Sequence, residues 1–226
     1  MFSAENNEVR GLKFVEALGM GRGVTAVIGS GGKSSLLNRL AMELRGGGGV
    51  ILCTTTHMFP PPAMRTLVSA DARAAARALR EDGAVCVGEP MDDGRLCAPA
   101  MTMAELAVLA DYVIVEADGS KRLPLKAHAA HEPVIPPETS RTVCVVGLSG
   151  LGRRVAEVVH RPELFAPSET VVTPELLAEV LNREALADIY YLNQTDLCGE
   201  ATAKKLASLL HRPAVWGSLR RGEVLC

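Results

Sequence analysis

The stretch TAVIGSGGKSSLLNRLAMEL, Thr25–Leu44, decides the fold of this chain. It passes from an apolar, β-rich run through a glycine-rich turn into a pattern with leucines on one helical face. The pattern predicts a buried strand over Val24–Gly29 and a helix that begins at about Lys33. A strand, a glycine turn and a helix in this order are typical of a phosphate-binding loop.

The glycine turn does not match the long form of that loop, G-x-x-x-x-G-K-[ST]. Counting back from Gly32-Lys33-Ser34 puts the first glycine at the position of Val27. We interpret Val27 as the tail of the buried strand and Gly29–Ser35 as a shorter loop, similar to those of Mur-type ligases and some metallochaperone GTPases. The alternative is a flexible turn with a solvated lysine.

The chemistry of such a loop depends on backbone dipoles. Successive N–H groups and a helix N-terminus attract an anion, and glycines allow the backbone to approach it closely. Lys33 is predicted to reach the terminal phosphates of ATP or GTP, and the Ser34 hydroxyl to ligate Mg²⁺. The residues predicted to bind the nucleotide here are Gly29, Ser30, Gly31, Gly32, Lys33, Ser34 and Ser35.

The rest of the chain alternates strand-like runs with helical patterns. Strands are predicted over Val24–Gly29, Val50–Thr54, Tyr112–Glu116, Thr142–Gly147 and Ile189–Leu192, with weaker candidates at Ala84–Val87 and Ala214–Trp216. Apolar stripes at helical spacing follow Lys33, Ala72, Met103 and Thr173. We therefore predict an α/β fold, a three-layer P-loop NTPase-like sandwich with a mostly parallel sheet. It is predicted as one domain over residues 1–226, with irregular excursions near 57–70, 88–101 and 119–140.

Composition excludes several classes of protein. Of 226 residues, 48% are hydrophobic and 22% charged, which is typical of a folded globular chain. The net charge of −2 predicts no nucleic-acid partner and no membrane partner. The N-terminus carries Glu5 and Glu8 and does not resemble a signal peptide. The six cysteines, none spaced C-x-x-C, are interpreted as reduced thiols of a cytoplasmic protein.

A second motif, DYVIVEADGS, places carboxylates at the end of a predicted strand. Ligands of open α/β sheets bind at the carboxyl ends of the strands. Glu116 is predicted to orient an attacking water and Asp118 to coordinate Mg²⁺, with the reverse assignment open. Together with Lys33 they are the predicted catalytic residues, whereas an ordinary Asp-Gly turn is the alternative.

A third motif, CTTTHMF, follows the second predicted strand. Its threonine hydroxyls suit Mg²⁺ or the γ-phosphate. Thr55 is predicted as a metal ligand, and Thr56 and His57 as residues that bind substrate or switch with the nucleotide. The alternative is a β-prone strand end with a solvated histidine.

The stretch KRLPLKAHAAHEP forms a basic segment after Ser120. Lys121, Arg122, Lys126, His128 and His131 are predicted to hold an anionic substrate or to stabilise charge on a transferring phosphoryl group. A solvated basic loop is the alternative.

The stretch YYLNQTDLCG looks like the guanine-reading N-K-x-D motif of GTPases, with Gln194 in place of the lysine. Asp196 would accept hydrogen bonds from guanine that adenine does not offer. Asn193 would contact N7 of the base or brace the loop. Both residues are predicted to bind the nucleotide, and the choice between ATP and GTP stays open.

Taken together, these segments resemble the YqeC family. The matching segments are Gly29–Ser35, Thr54–His57, Val115–Ser120, Leu123–Lys126, His131–Pro136, His160–Glu163 and Asn193–Asp196. The resemblance implies a P-loop nucleotide-binding fold. It also implies an accessory role in maturing a selenium-dependent molybdenum hydroxylase, with that enzyme or molybdenum-cofactor maturation proteins as partners. Gln194 departs from the family pattern, in which a lysine is usual.

Three hypotheses follow. The first is a Mg²⁺-dependent nucleoside triphosphate hydrolase that acts in maturation or cofactor insertion. The second is a small-molecule kinase or ligase that uses the same loop, and the third is a nucleotide-sensing protein without catalysis. Slow hydrolysis stimulated by a partner, phosphate transfer to an acceptor, or tight binding without turnover would distinguish them.

Overall fold

The computed structural model describes residues 12–226, so the expectation drawn from Glu5 and Glu8 concerns residues outside the described part. The elements are α1 (Phe14–Ala17), β1 (Gly23–Gly29), α2 (Lys33–Leu44), β2 (Val50–Thr54), β3 (Arg65–Val68), α3 (Ala72–Asp82), β4 (Ala84–Pro90), β5 (Leu96–Cys97), α4 (Met103–Leu109), β6 (Tyr112–Glu116), β7 (Leu125–Lys126), β8 (Thr139–Gly147), α5 (Val155–Val158), β9 (Val159–His160), α6 (Pro174–Glu184), β10 (Ile189–Asn193), α7 (Thr195–Cys198), α8 (Glu200–Leu209), β11 (Ala214–Ser218) and β12 (Glu223–Leu225).

One large sheet organises these elements. Its strands lie in the order β12-β11-β10-β8-β1-β6-β2-β4-β3, and β5 pairs with β4 outside this row. The pairs β11–β12 and β4–β5 are antiparallel, and the other pairs of the sheet are parallel. The short strands β7 and β9 form a separate parallel pair. The predicted α/β class with a mostly parallel sheet is confirmed.

Helices cover both faces of the sheet and complete three layers. On one face, α1 and α2 pack on strand residues such as Val27 and Ile114. On the other face, α6 and α8 pack on residues such as Ile28, and α3 and α4 on residues such as Ile51. The predicted stripe of α2 is buried, and it consists of Leu36, Leu37, Leu40, Ala41 and Leu44. Each buried leucine stabilises the fold by about 1.5–3 kcal/mol relative to exposure.

The stretches predicted to be irregular contain short strands. β3 lies within 57–70, and β5 lies within 88–101. β3 is an edge strand whose residues are exposed or half-buried, so it lacks the apolar run by which buried strands are recognised. Helix α8 and strand β12 were also not predicted. β12 has a single buried residue, Val224, and pairs at the opposite edge.

The six cysteines all lie in the part of the chain that the structure describes. All six cysteines are free, and Cys53, Cys86 and Cys144 are buried in the core. Burial raises the pKa of the Cys86 thiol to about 12, so this thiol stays protonated near neutral pH. Within residues 12–226, none of the helices combines the length and the apolar content that crossing a bilayer requires.

The sheet order determines where a site can form. β1 lies between β6 and β8, and β10 and β2 are the next strands outward. In the register, Val27 pairs with Glu116, and Thr54 also pairs with Glu116 across β2 and β6. Because these strands are parallel, their carboxyl ends meet at one edge of the sheet.

Candidate functional site

The glycine loop follows β1 directly and opens α2. Gly31 and Gly32 have φ values of 84° and 136°, which side chains rarely adopt. A Cβ on Gly31 would collide with the backbone of Gly147, and a Cβ on Gly32 would collide with the side chain of Asn193. The loop is also tied at Ser30, whose N–H donates to the Val145 carbonyl at 2.8 Å. The result is a backbone cradle at the N-terminus of α2.

Lys33, the first residue of α2, is buried rather than solvated. Its Nζ donates to the Gly29 carbonyl at 2.7 Å and lies 2.9 Å from Asp118 Oδ1. It is also 3.3 Å from Ser120 Oγ and 3.9 Å from Glu116 Oε1. Lys33 therefore joins the loop to the acidic end of β6, and the alternative of a solvated lysine is wrong.

Asp118 is fully buried behind the loop, surrounded by donors. Its Oδ2 accepts from the Gly29 N–H at 2.8 Å, contacts His128 Nε2 at 2.8 Å and lies 3.4 Å from Lys126 Nζ. Burial alone would raise the pKa of this carboxyl. The hydrogen bond from His128 and the charges of Lys33 and Lys126 outweigh burial and lower the pKa to about 2. Asp118 is thus a fixed negative charge beside the loop.

Charged side chains extend this cluster away from the loop. His128 Nδ1 lies 2.7 Å from Glu184 Oε2, and the His128 backbone N–H donates to Glu184 Oε1 at 2.8 Å. Burial would lower the pKa of His128, but hydrogen bonds to Asp118 and Glu184 raise it above its ordinary value. Glu184 was not predicted as a site residue. It is the last residue of α6, and no local pattern links it to the distant His128.

A second branch of the cluster runs through Lys126. Its Nζ donates to the Gly119 carbonyl at 2.6 Å and pairs with Glu132 Oε2 at 2.9 Å. Glu132 in turn accepts from Arg161 Nε at 3.1 Å. Burial opposes ionisation of Glu132, but the hydrogen bonds from Arg161 and Lys126 lower its pKa to about 2. An ion network therefore connects Asp118 to Arg161.

Glu116 differs from Asp118 in its partners. It is 8% exposed, and its Oε2 is buried without a hydrogen-bond partner among residues 12–226. Burial raises its pKa to about 7, against the pull of the Lys33 charge and with a further rise from Asp118. A carboxyl that titrates near neutral pH is suited to accept a proton from an attacking water.

A cleft of about 1020 Å³ opens over the loop. Of the predicted residues, the structure brings to its lining Gly31, Gly32, Lys33, Ser34, Ser35, His57, Glu116, Asn193 and Asp196. Asp118, Lys126 and His128 lie behind the lining, in the buried cluster. His131 is exposed, with its Nε2 3.4 Å from a guanidinium nitrogen of Arg161.

The predicted threonines face different ways. The Thr54 hydroxyl donates to the Glu116 carbonyl at 2.8 Å and accepts from the Thr56 N–H at 3.0 Å, which joins the ends of β2 and β6. The Thr55 hydroxyl donates to the Val134 carbonyl at 2.7 Å, beside a second, smaller cavity. Neither Thr55 nor Thr56 lines the main cleft, so the structure does not bring the predicted metal ligand Thr55 to Ser34.

The turn after β10 braces the loop. Asn193 Nδ2 donates to the Gly31 carbonyl at 2.8 Å, and its Oδ1 accepts from the Leu219 N–H at 3.1 Å. Of the two roles predicted for Asn193, the structure contains the bracing contact. Gln194 Oε1 accepts from the Ser149 N–H at 3.1 Å, and Asp196 lines the cleft. Ser218 at the end of β11 and the following Leu219 and Arg220 line it too, and no sequence motif predicted them.

The residues present fit a nucleotide with Mg²⁺. The glycine loop leads into the N-terminus of α2, where successive backbone N–H groups can contact phosphate oxygens. Ser34 at the cleft and the carboxylates of Glu116 and Asp118 are hard oxygen donors of the kind Mg²⁺ prefers. The unpartnered Glu116 Oε2 is a buried acceptor at this position.

Comparison with known proteins gives two matches. The family model described as YqeC protein matches residues 25–163. A relative from Escherichia coli (strain K12), described as "Uncharacterized protein YqeC", is 31% identical over 205 residues, which cover 80% of this chain and 79% of the relative. The matched range 25–163 contains the glycine loop, the threonine strand end, the acidic strand end and Arg161.

Proposed function

The chain belongs to the YqeC family, and from this premise we propose that its cleft binds a Mg²⁺-nucleoside triphosphate and hydrolyses it. One observation carries the proposal. Lys33 emerges from a glycine cradle at a helix N-terminus and lies within 4 Å of two carboxylates from the adjacent strand. This arrangement combines the anion-binding and proton-accepting groups that phosphoryl transfer to water requires.

Each residue has a role in this proposal. The backbone N–H groups of Gly31–Ser34 hold the phosphates, and Lys33 exchanges its contact with the Gly29 carbonyl for phosphate oxygens. When bound, Mg²⁺ would neutralise part of the negative charge of the phosphates. Ser34 would hold the ion directly, and Asp118, already engaged by its donors, would hold it through water. Glu116 orients the attacking water and accepts its proton.

The proposal is tested by calorimetric titration with ATP and with GTP, each with and without Mg²⁺. We expect one nucleotide per chain, with binding that weakens at least tenfold when Mg²⁺ is chelated. Absence of binding for both nucleotides at millimolar concentration would rule the proposal out. The same titrations identify the base that the cleft accepts.

In this proposal the Asp196 carboxylate recognises the guanine base of GTP. We expect Asp196→Ala to weaken GTP by about tenfold to 100-fold, because hydrogen bonds to a charged group contribute about 1.5–3 kcal/mol. ATP should change by less than about threefold, because adenine does not offer those donors. The measurement is calorimetry of both nucleotides on both proteins.

Glu200→Ala is the matched control for this variant, since Glu200 is an exposed carboxylate that opens α8 and pairs with Lys204. It should leave both affinities unchanged. An equal loss for ATP and GTP in Asp196→Ala would contradict guanine recognition.

We also propose that hydrolysis serves maturation of a selenium-dependent molybdenum hydroxylase. This role is supported by the resemblance of the sequence motifs to those of the YqeC family. In this role, hydrolysis changes the contacts of residues 54–62 and 118–131 and thereby gates a partner. A purified client that raises the turnover of the wild-type protein, but not of Glu116→Gln, would support the role.

A further inference from the structure

We propose that the cleft holds a second ligand beside the nucleotide, an anionic small molecule with a phosphate or carboxylate group. Its site is the basic end of the cleft, defined by His57, Phe59, Lys121, Arg122, His160 and Arg161. The inference rests on the proposed function in one respect, since it assigns the nucleotide to the other end, at Asn193–Asp196.

The sheet order separates the two ends. Asn193 ends β10, two strands from β1 on one side, and His57 follows β2, two strands from β1 on the other side. At about 4.8 Å per strand, these points are roughly 19 Å apart across the sheet. A cleft of about 1020 Å³ is at the upper end of the range of roughly 300–1,000 Å³ for single-ligand pockets.

Two cations of the basic end, Lys121 and Arg122, line the cleft. Lys121 and Arg122 are exposed, and neither belongs to an ion pair within residues 12–226. The Arg122 guanidinium lies 5.6 Å from the ring centroid of Phe59, a side chain that is 56% exposed. A guanidinium next to an aromatic face leaves its N–H fork free for a phosphate or carboxylate.

The Glu132 carboxylate at this end is already neutralised. Glu132 lines the cleft, but it pairs with Lys126 at 2.9 Å and with Arg161 at 3.1 Å. The local charge is therefore positive. The pKa of His160 agrees with a positive local charge. Burial is the largest cause of its lowered pKa, and the positive charges of Lys126 and Arg161 lower it further.

The backbone presents these cations in a fixed turn. Lys121 and Arg122 both adopt left-handed conformations, with φ values of 46° and 61°. Such conformations cost on the order of 1 kcal/mol each in non-glycine residues and persist only where the surroundings hold them. Here the Leu123 N–H donates to the Ser120 carbonyl at 3.0 Å, and the Leu123 carbonyl accepts from the Ser30 hydroxyl. The turn is thus attached to the phosphate loop itself.

This attachment places the second ligand next to the triphosphate. Ser120, which precedes the two cations, is 3.3 Å from Lys33 Nζ. An anion held by Lys121 and Arg122 would therefore lie beside the terminal phosphate. The network from Arg161 through Glu132 and Lys126 to Asp118 gives a physical connection between the two ligands.

The test uses the full chain saturated with Mg²⁺ and a non-hydrolysable nucleotide analogue whose β- and γ-phosphates are joined by an imido group. The analogue occupies the phosphate loop throughout the titration. Inorganic phosphate and malonate are then titrated separately by calorimetry, the first as a phosphate group and the second as a carboxylate. We expect one further anion per chain, and the stronger of the two probes identifies the ligand class. Lys121→Ala/Arg122→Ala should weaken it at least tenfold, while Lys204→Ala, an exposed lysine on α8, should not.

Two results would overturn the second site: no anion binding to the nucleotide-loaded wild-type protein, or equal binding by Lys121→Ala/Arg122→Ala. A failure of the proposed function is visible separately, in the nucleotide isotherm recorded beforehand. If no nucleotide binds, the anions are titrated onto the free protein. Loss of binding in Lys121→Ala/Arg122→Ala would then still support the basic end, and loss only in Lys33→Ala would refute it.

Discussion

Lys33→Ala is expected to abolish binding of the Mg²⁺-nucleotide, with a loss of about 100-fold or more in affinity. The lysine supplies the one cation of the loop, and hydrogen bonds from a charged donor to phosphate oxygens contribute about 1.5–3 kcal/mol each. Two such bonds correspond to more than about 100-fold in the dissociation constant. The measurement is calorimetry with the preferred nucleotide.

The fold should survive this change. Asp118 would keep His128, the Gly29 N–H and Lys126 as partners after Lys33 is removed. Loss of one partner from a buried ion cluster still destabilises a protein by about 3–5 kcal/mol, so thermal unfolding is recorded alongside. Lys33→Met keeps the apolar stem and isolates the charge. Unchanged affinity in a folded Lys33 variant would rule out the loop assignment.

The central part of the fold was predictable because its signals are local. The apolar run before Gly29, the three glycines and the leucine stripe of α2 each lie within a few residues of one another. The strand ends at Glu116 and Asn193 were predictable for the same reason, since parallel strands place their carboxyl ends at one edge. Edge strand β3 has no run of consecutive buried apolar residues, so the sequence carries no local signal for it.

The buried cluster was not predictable because its contacts are long-range. Glu184 and His128 are 56 residues apart, and only the packing of α6 brings them together. Lys126 and His128 were predicted as parts of a basic loop, whereas both side chains contact the buried Asp118 carboxylate. Thr55 illustrates a different limit. Successive side chains of an extended segment alternate in direction, so Thr54 turns to Glu116 while Thr55 turns to Val134.

Glu116→Gln is expected to stabilise the protein at high pH. The folded pKa of Glu116 is raised from 4.5 to about 7, so the folded state binds the proton more tightly than the unfolded state. The stability of the wild-type protein therefore falls as the pH rises from 4.5 to 7 and stays low above that. A difference of this size corresponds to about 3 kcal/mol at pH 8. Glutamine does not ionise, so the variant avoids this loss.

For a chain of this length, 3 kcal/mol corresponds to a rise of roughly 6–12 °C in the midpoint of thermal unfolding at pH 8. At pH 5 the two proteins should differ by less than about 1 kcal/mol. Glu132→Gln is the matched control. The pKa of Glu132 is lowered to about 2, so its stabilising contribution is present above 4.5 and is lost as the pH falls through 2. This variant should therefore destabilise the protein at pH 8.

The same Glu116→Gln variant should lose hydrolysis by about 100-fold or more, the typical contribution of a general base, while nucleotide affinity stays within about threefold. The wild-type rate should rise with pH and level off above about 7, as Glu116 loses its proton. A buried carboxylate that lowers stability at the pH where it is ionised is the pattern expected of a functional residue. If Glu116→Gln is no more stable at pH 8 and hydrolyses nucleotide at the wild-type rate, Glu116 is neither the ionised buried group nor the base.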